Sequence, residues 1–547
     1  DRYNCCQGLR NGVPQRGENY FRTVDMIPIN PPAPANTPTQ TIVEVVRGNA
    51  KAHPDKPALV CDGKTVSWGA FDQRINKIAN LLLSLGVGKG DNIAIISPNS
   101  IPYAELFMGI LRAGACVTPL STMASPDALQ KMLTDCGARA IFVAAQYLEL
   151  VDGFIADLDL ARFAIDFDHP AFDPYEAAVA AASDTDPEIK TEMSDAFNLI
   201  YSSGTTGTPK GILHNHWMRS AQMDRVSPNG YDDNARTLLS TPLYSNTTIV
   251  SFLPTLYGGS TVYLMPKFDA RGYLEIVQRE KITHTMLVPV QYKRIMDVPD
   301  FDQFDLSSMQ VKFSTSAPLR AEVKADVLAR FPGKLLEYYG LTEGGGVTVL
   351  NSAEHPDKLH TVGQTAPGNE IRLIDETGKE VPKGEVGEIC GRGPTMMAGY
   401  FGRDDLTADY IWRDEAGNVF FRSGDMGRFD DDGFLILSDR KKDMIISGGL
   451  NIYADDLELV LLADPDVIDA AVIGVPSEAW GETPYGLVVL REGATRSGDD
   501  VCADANAKLG KSQRLSAVEL RGELPRSSIG KILKKELRAP FWAAVSA

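Results

Sequence analysis

Tyr201-Ser202-Ser203-Gly204-Thr205-Thr206-Gly207-Thr208-Pro209-Lys210-Gly211 packs hydroxyls and glycines into one short run that ends on a lysine, directly after the apolar stretch Phe197–Ile200. The apolar stretch reads as a buried strand, and the run after it as the loop at that strand's end. Glycines let several backbone N–H groups converge on one anion, and the hydroxyls add donors. Lys210 adds a mobile positive charge. These are the needs of a phosphate cradle. A Walker-type loop requires glycine immediately before the lysine; Pro209 stands there, so the cradle is of another kind. A Ser/Thr/Gly run on its own is more often a surface turn, and only its neighbours in the chain separate the two readings.

Upstream, strands and helices alternate. Thr41–Ala52 has a helical pattern, Pro57–Val66 reads as a strand pair, and Ser67 is placed to cap a helix that runs to Leu85. Asn92–Ile96 and Ala140–Ala144 read as strands around a helix at Ala104–Ala113. Downstream, Leu199–Ser202, Thr261–Met265, Thr285–Val288 and Gln310–Ser314 are short apolar strands with helical stretches among them. The alternation predicts an α/β fold of layered, largely parallel sheets. From about Gly363 to Leu437, short strands with glycine turns predict a β-rich subdomain; a small mobile α+β domain follows. The expected organisation is an irregular arm over 1–40, a large domain over 41–439, a hinge over 440–442 and a small C-terminal domain over 443–547.

Further motifs follow the loop in order. Ser314-Thr315-Ser316-Ala317-Pro318-Leu319 comes after a strand, then Tyr338-Tyr339-Gly340-Leu341-Thr342-Glu343. An aromatic face suits a purine, and a carboxylate suits a hard cation already bound to phosphate oxygens. Ser423-Gly424-Asp425 offers a carboxylate that can accept from a vicinal diol. Asp439-Arg440-Lys441-Lys442-Asp443, Ile446-Ser447-Gly448-Gly449-Leu450-Asn451-Ile452 and Pro525-Arg526-Ser527-Ser528-Ile529-Gly530-Lys531 complete the series. Alone, each is a turn, a core aromatic pair or a solvated basic stretch.

Together, in this order, they resemble the adenylate-forming superfamily: AMP-forming acyl- and aryl-CoA synthetases, peptide-synthetase adenylation domains and luciferase-like enzymes. The resemblance covers roughly residues 40 to 540. It implies that Ser202, Ser203, Gly204, Thr205, Thr206, Gly207 and Lys210 hold the phosphates. Ser316, Ala317 and Pro318 border the adenine, and Tyr339 with Gly340 stacks on it. Thr342 meets the phosphates, Glu343 holds Mg²⁺, and Asp425 and Arg440 take the ribose. Lys442 is the hinge, after whose turn Ser447, Gly448 and Gly449 line the pantetheine tunnel of coenzyme A; Lys531 serves adenylation.

The implied reaction is ATP + acid + CoA to acyl-CoA + AMP + pyrophosphate through an acyl-adenylate, the small domain changing faces between the half-reactions. The acyl pocket is expected from Tyr244, Ser245, Ser314, Tyr338, Gly344 and Gly345. Relatives often carry histidine where Ser245 stands, so gating by a histidine is not expected here. The tyrosines suit an aryl acid and the glycines could open a channel for an alkyl chain, so an aryl or medium-chain monocarboxylic acid is expected. A long-chain fatty acid or loading of a carrier protein are the alternatives. None of the pocket residues is Arg or Lys, so no second carboxylate is expected on the substrate. His214 and His216 are read as structural residues opening a helix. A nucleotide-binding regulator without chemistry is disfavoured by the presence of Thr342, Glu343, Asp425 and Lys531 together.

Bulk properties agree. The 547 residues exceed one core's reach, and a net charge of −18 repels nucleic acid and anionic membrane, so any ATP site must be locally positive. The seven cysteines show no CxxC spacing, which points to reduced thiols and a cytoplasmic setting. The first twenty residues hold no apolar run, so no secretory signal is expected. The uncharged stretch Ser245–Pro266 could span a bilayer by length. Its polar residues, Pro254 and Gly258-Gly259 make it a buried helix, a turn and a strand instead, with no integral membrane contact. The expected partner is a small carboxylic acid; a homodimer is compatible with the resemblance.

Overall fold

The structure, a computed structural model, describes residues 39–202, 210–440, 443–447, 450–478, 480–510, 513–527 and 530–543. The chain forms two units. One runs to Leu359 and takes in Ala366–Glu370 and Gly391–Phe421; the other holds His360–Thr365, Ile371–Cys390 and the chain from Arg422 onward.

Two sheets make the first unit. In one, six parallel strands lie in the order Lys334–Tyr339, Val311–Ser314, His284–Leu287, Arg236–Leu239, Thr261–Leu264 and Pro57–Cys61. Antiparallel strands Thr348–Asn351 and Lys64–Ser67 flank them. The other sheet runs Gly399–Tyr400, Lys210–Asn215, Ala196–Ser202, Cys116–Pro119, Asn92–Ile96, Ala140–Val143, Ala161–Ala164 and Asp173–Pro174.

Helices buried along most of their surface fill the space between the sheets. Ile101–Arg112 is buried from Tyr103 onward, capped by the Ser100 hydroxyl with Pro102 in its first turn. Asn246–Tyr257 is buried along most of its length. The Phe107 ring, from the first of these helices, meets Phe252 of the second at 5.6 Å and Phe197 of the second sheet at 6.1 Å. One core therefore joins residues of both sheets, from Ile93 and Val117 to Leu239 and Val262. Each large apolar side chain buried there contributes about 1.5–3 kcal/mol. The stretch Ser245–Pro266 is thus a buried helix, a turn and a strand, and no helix among the described residues is long and apolar enough to cross a membrane.

Local signals placed the helix starts well. Thr41 and Glu44 form a capping box on Ile42–Ala52, and the Ser67 hydroxyl accepts from Ala70 N–H to start Trp68–Ser84. One reading changes: His214 lies inside the strand Lys210–Asn215, and it is Asn215 that caps the helix His216–Val226.

In the second unit, Val419–Phe429 continues past Arg422 antiparallel to Leu435–Arg440, which sets Asp425 opposite Arg440. A further sheet, in the order Leu450–Ile452, Ile445–Ser447, Gly481–Leu490 and Val467–Ser477, packs on the helices Ala454–Leu462, Gly498–Lys508 and Lys534–Ala543.

Candidate active site

The strands Ala196–Ser202 and Lys210–Asn215 close on a final rung, Ser202 opposite Lys210, so the two stems of the predicted cradle stand side by side. Ser203, Gly204, Thr205, Thr206 and Gly207 lie outside the described residues, as does the Ser202 side chain. The Lys210 ammonium donates to the Tyr410 hydroxyl at 2.9 Å and sits 4.8 Å from the centre of that ring. Tyr400 lies beside it, its ring centre 5.7 Å from that of Tyr410. Its hydroxyl donates to Glu343 Oε1 at 2.9 Å. Burial, then the Glu343 carboxylate, push the Tyr400 hydroxyl well above the usual phenol range, so it remains a donor. Backbone pairing fixes this tyrosine: Tyr400 is opposite Ile212, and Met397 N–H donates to the Glu343 carbonyl at 2.8 Å. Sequence reasoning missed both tyrosines, whose partners lie far away in the chain.

A buried network supports Thr342. His214 Nε2 lies 2.7 Å from the Thr342 carbonyl, which only an Nε2–H tautomer can satisfy. Its Nδ1 then accepts, from Arg219 Nη2 at 2.9 Å and Asn198 Nδ2 at 3.1 Å. Arg219 also reaches Asn198, Gln222 and Asn246. Burial, then the Arg219 charge, hold the His214 imidazole neutral. Burial likewise lowers His216 to about 4; it is 1% exposed, and its ring centre is 4.8 Å from that of Phe197.

The His216 shift has a sign that can be tested. The folded value lies below the unfolded one of 6.5. Between the two, the unfolded chain binds a proton that the native chain refuses, so stability is lost as pH falls through that window. At pH 5 the penalty is about 2 kcal/mol. His216→Phe is expected to narrow the gap between unfolding stabilities at pH 7 and pH 5 by roughly that amount, read by denaturant titration. An unchanged gap would refute the assignment.

On the acyl side, the Tyr338 ring stacks on Phe313 at 6.0 Å, and Phe313 on Tyr231 at 5.9 Å. Ser314 takes the other face of the sheet. It pairs with Glu337, whose carboxylate receives Leu319 N–H and an ion pair from Lys324, while Phe313 and Tyr338 share the opposite face. Alternation along the strand could have shown that Phe313 accompanies Tyr338. Ser245 caps the helix Asn246–Tyr257, and Thr247 in its first turn bonds the Ser316 hydroxyl, bringing Tyr244 and Ser245 toward the 314–319 loop. Gly344 and Gly345 have φ of 76° and 78°. A Cβ on Gly344 would lie 2.0 Å from the Thr395 carbonyl oxygen, and one on Gly345 2.6 Å from Phe421 Cβ. Glycine is required there by the protein's own close packing on the Cβ side.

Ala317 and Pro318 follow Ser316 in that loop, Tyr339 ends the strand Lys334–Tyr339, and Gly340, Thr342 and Glu343 come next in the chain. In the second unit, Asp425 is 8% exposed and its N–H donates to the Ser423 hydroxyl at 3.0 Å. Ser447 pairs with Leu450 and Gly481. Lys531 sits on a turn closed by its N–H to the Ser527 hydroxyl at 3.1 Å. Lys442, Gly448, Gly449 and the Arg440 side chain lie outside the described residues.

Residues 46–401 match the family model for the AMP-binding enzyme, and residues 456–531 match that of the AMP-binding enzyme C-terminal domain. A feruloyl-CoA synthase of Amycolatopsis sp is 34% identical over 498 residues, 90% of this chain and 97% of that protein. A long-chain-fatty-acid–CoA ligase of Mycobacterium tuberculosis is 29% identical, covering 88% of this chain and 94% of that one. The crystal structure of ATP-bound MatB from Rhodopseudomonas palustris aligns with a TM-score of 0.82 at 27% identity, over 92% of this chain and 99% of that one.

Proposed function

Because the chain belongs to the AMP-binding enzyme family and is an AMP-forming acid–CoA ligase, we propose that the acid it activates is a flat aryl acid. The observation behind this reading is the ring series Tyr231, Phe313 and Tyr338, together with the filled space at Gly344 and Gly345. Stacked rings favour another ring by both contact area and quadrupole. The similarity to a feruloyl-CoA synthase agrees, and that to a long-chain-fatty-acid–CoA ligase marks the competing reading.

In the proposed mechanism the substrate carboxylate oxygen attacks the α-phosphorus of ATP and pyrophosphate leaves. Lys210 and the 201–211 loop hold the phosphates; Thr342 contacts them, positioned through its carbonyl by His214. Tyr339 and the loop at Ser316 take the adenine, and Asp425 with Arg440 takes the ribose hydroxyls. Glu343, steadied by Tyr400, presents the hard oxygen that suits Mg²⁺, which when bound would offset charge on the phosphates. Lys531 stabilises charge at the α-phosphate and carboxylate in the transition state. In the second step the CoA thiol attacks the acyl carbon and AMP departs. No protein nucleophile is needed; positioning and electrostatics supply the catalysis.

Pyrophosphate release with cinnamate, benzoate, octanoate and palmitate tests this. The aryl acids are expected to exceed the linear ones in kcat/KM by at least about tenfold, equivalent to roughly 1.4 kcal/mol of differential binding. AMP formation should require CoA. Preference for octanoate or palmitate would overturn the aryl reading.

A further inference from the structure

Arg225 belongs to none of the motifs, yet it reaches the proposed acyl pocket. It sits in the helix His216–Val226, and its guanidinium carbon is 5.8 Å from the centre of the Tyr338 ring. Its Nε and Nη1 are buried and have no hydrogen-bond partner among the described residues. The carboxylate beside it in the helix, Asp224, is engaged by the Tyr257 hydroxyl at 3.1 Å.

Several other polar groups around the ring series have partners. The Tyr231 hydroxyl bonds Ser251 at 3.1 Å, and His284 Nε2 bonds the Asn229 carbonyl at 3.0 Å. Among the described residues around the rings, Arg225 is the one with buried unpaired donors. A buried guanidinium without acceptors is costly, and a ring face returns only part of that cost. Buried donors of this kind mark where a ligand completes the pairing. The residue as a whole is partly exposed, while its Nε and Nη1 are not.

We propose that Arg225 recognises the far end of the acid, and that the substrate carries an oxygen acceptor there. The carboxylate to be activated lies at one end of the molecule, the ring lies against Tyr338, itself backed by Phe313, and the distal oxygen accepts from Arg225. This rests on Tyr338 lining the acyl pocket. It also revises the expectation drawn from the motif residues alone, among which no basic side chain occurs.

The test compares matched acids: cinnamate, 4-hydroxycinnamate and 4-carboxycinnamate, with octanoate, 8-hydroxyoctanoate and octanedioate as linear counterparts. Pyrophosphate release is measured for the wild type, Arg225→Met and Arg225→Lys. The wild type is expected to favour acids with a distal oxygen at least about tenfold in kcat/KM, mainly through KM. Arg225→Met should erase that preference and leave cinnamate within about twofold; Arg225→Lys should retain part of it. A stronger preference for the carboxy acid marks an anionic acceptor, and for the hydroxy acid a neutral one; either supports the proposal. Wild-type indifference to the distal oxygen overturns it, even if neither variant folds. So does an equal loss on all acids in Arg225→Met. A preference confined to the linear series would defeat the aryl reading and keep Arg225's role. No pyrophosphate with any acid would defeat both.

Discussion

Lys531→Ala is expected to lower adenylation by at least about a hundredfold, while thioesterification of a preformed acyl-adenylate keeps a rate within a few-fold of wild type. The reason is charge. When the carboxylate attacks the α-phosphorus, two anionic groups share one transition state, and a single well-placed donor to such a centre is worth about 10²–10³ in rate. The second half-reaction starts from a neutral acyl carbon in a mixed anhydride and expels AMP, so it does not draw on the same cation. The turn that carries Lys531 is held by groups the substitution leaves in place. Arg526 donates to the Gly530 carbonyl at 2.7 Å and pairs with Asp469, and the Ser527 hydroxyl takes the Lys531 N–H. Gly530 supplies the left-handed φ of 77° that the turn requires. The variant should therefore melt with the wild type. Single-turnover measurements of each half-reaction decide the matter, and equal losses in both would remove Lys531 from its assigned step.

How much of this was legible in the sequence depended on range. Helix caps such as Thr41 with Glu44 are encoded within four residues, and the apolar strands carry their own pattern, so the α/β layering could be read directly. Motif order is what points to the proposed nucleotide residues. What escaped was lateral. Tyr400 matters because its strand pairs with Lys210–Asn215 and sets its phenol at Glu343, and Tyr410, at the end of the helix Asp404–Asp409, brings a second phenol to Lys210. Arg225 matters because a helix lays it against a ring from a distant strand. Periodicity does not encode such meetings. Strand alternation, applied strictly, would have separated Ser314 from Tyr338. The glycines after Glu343 are ambiguous for a related reason. A residue without a side chain signals either open space or close contact, and here the Thr395 and Gly391 backbone occupies the room.

Glu343→Gln is the second large effect expected, about a hundredfold in adenylation, with a higher Mg²⁺ concentration needed for half-maximal rate. The amide keeps the size of the side chain and loses its charge, so a hard cation loses its anionic protein oxygen. Tyr400→Phe acts on the same carboxylate from the other side. It removes the hydroxyl 2.9 Å from Oε1 and leaves the ring beside Tyr410. A hydrogen bond to a charged group is worth about 1.5–3 kcal/mol, so roughly a tenfold loss is expected when position alone is disturbed. If Tyr400 works by steadying Glu343, the two losses should not add: Tyr400→Phe on top of Glu343→Gln should cost less than about twofold more. A binding readout separates this from damage to the fold. Mg²⁺ added with ATP should raise the melting temperature of the wild type and of Tyr400→Phe, and raise that of Glu343→Gln far less. Fully additive losses, or a Glu343→Gln enzyme that titrates Mg²⁺ like the wild type, would place the cation elsewhere and leave the tyrosine a packing role.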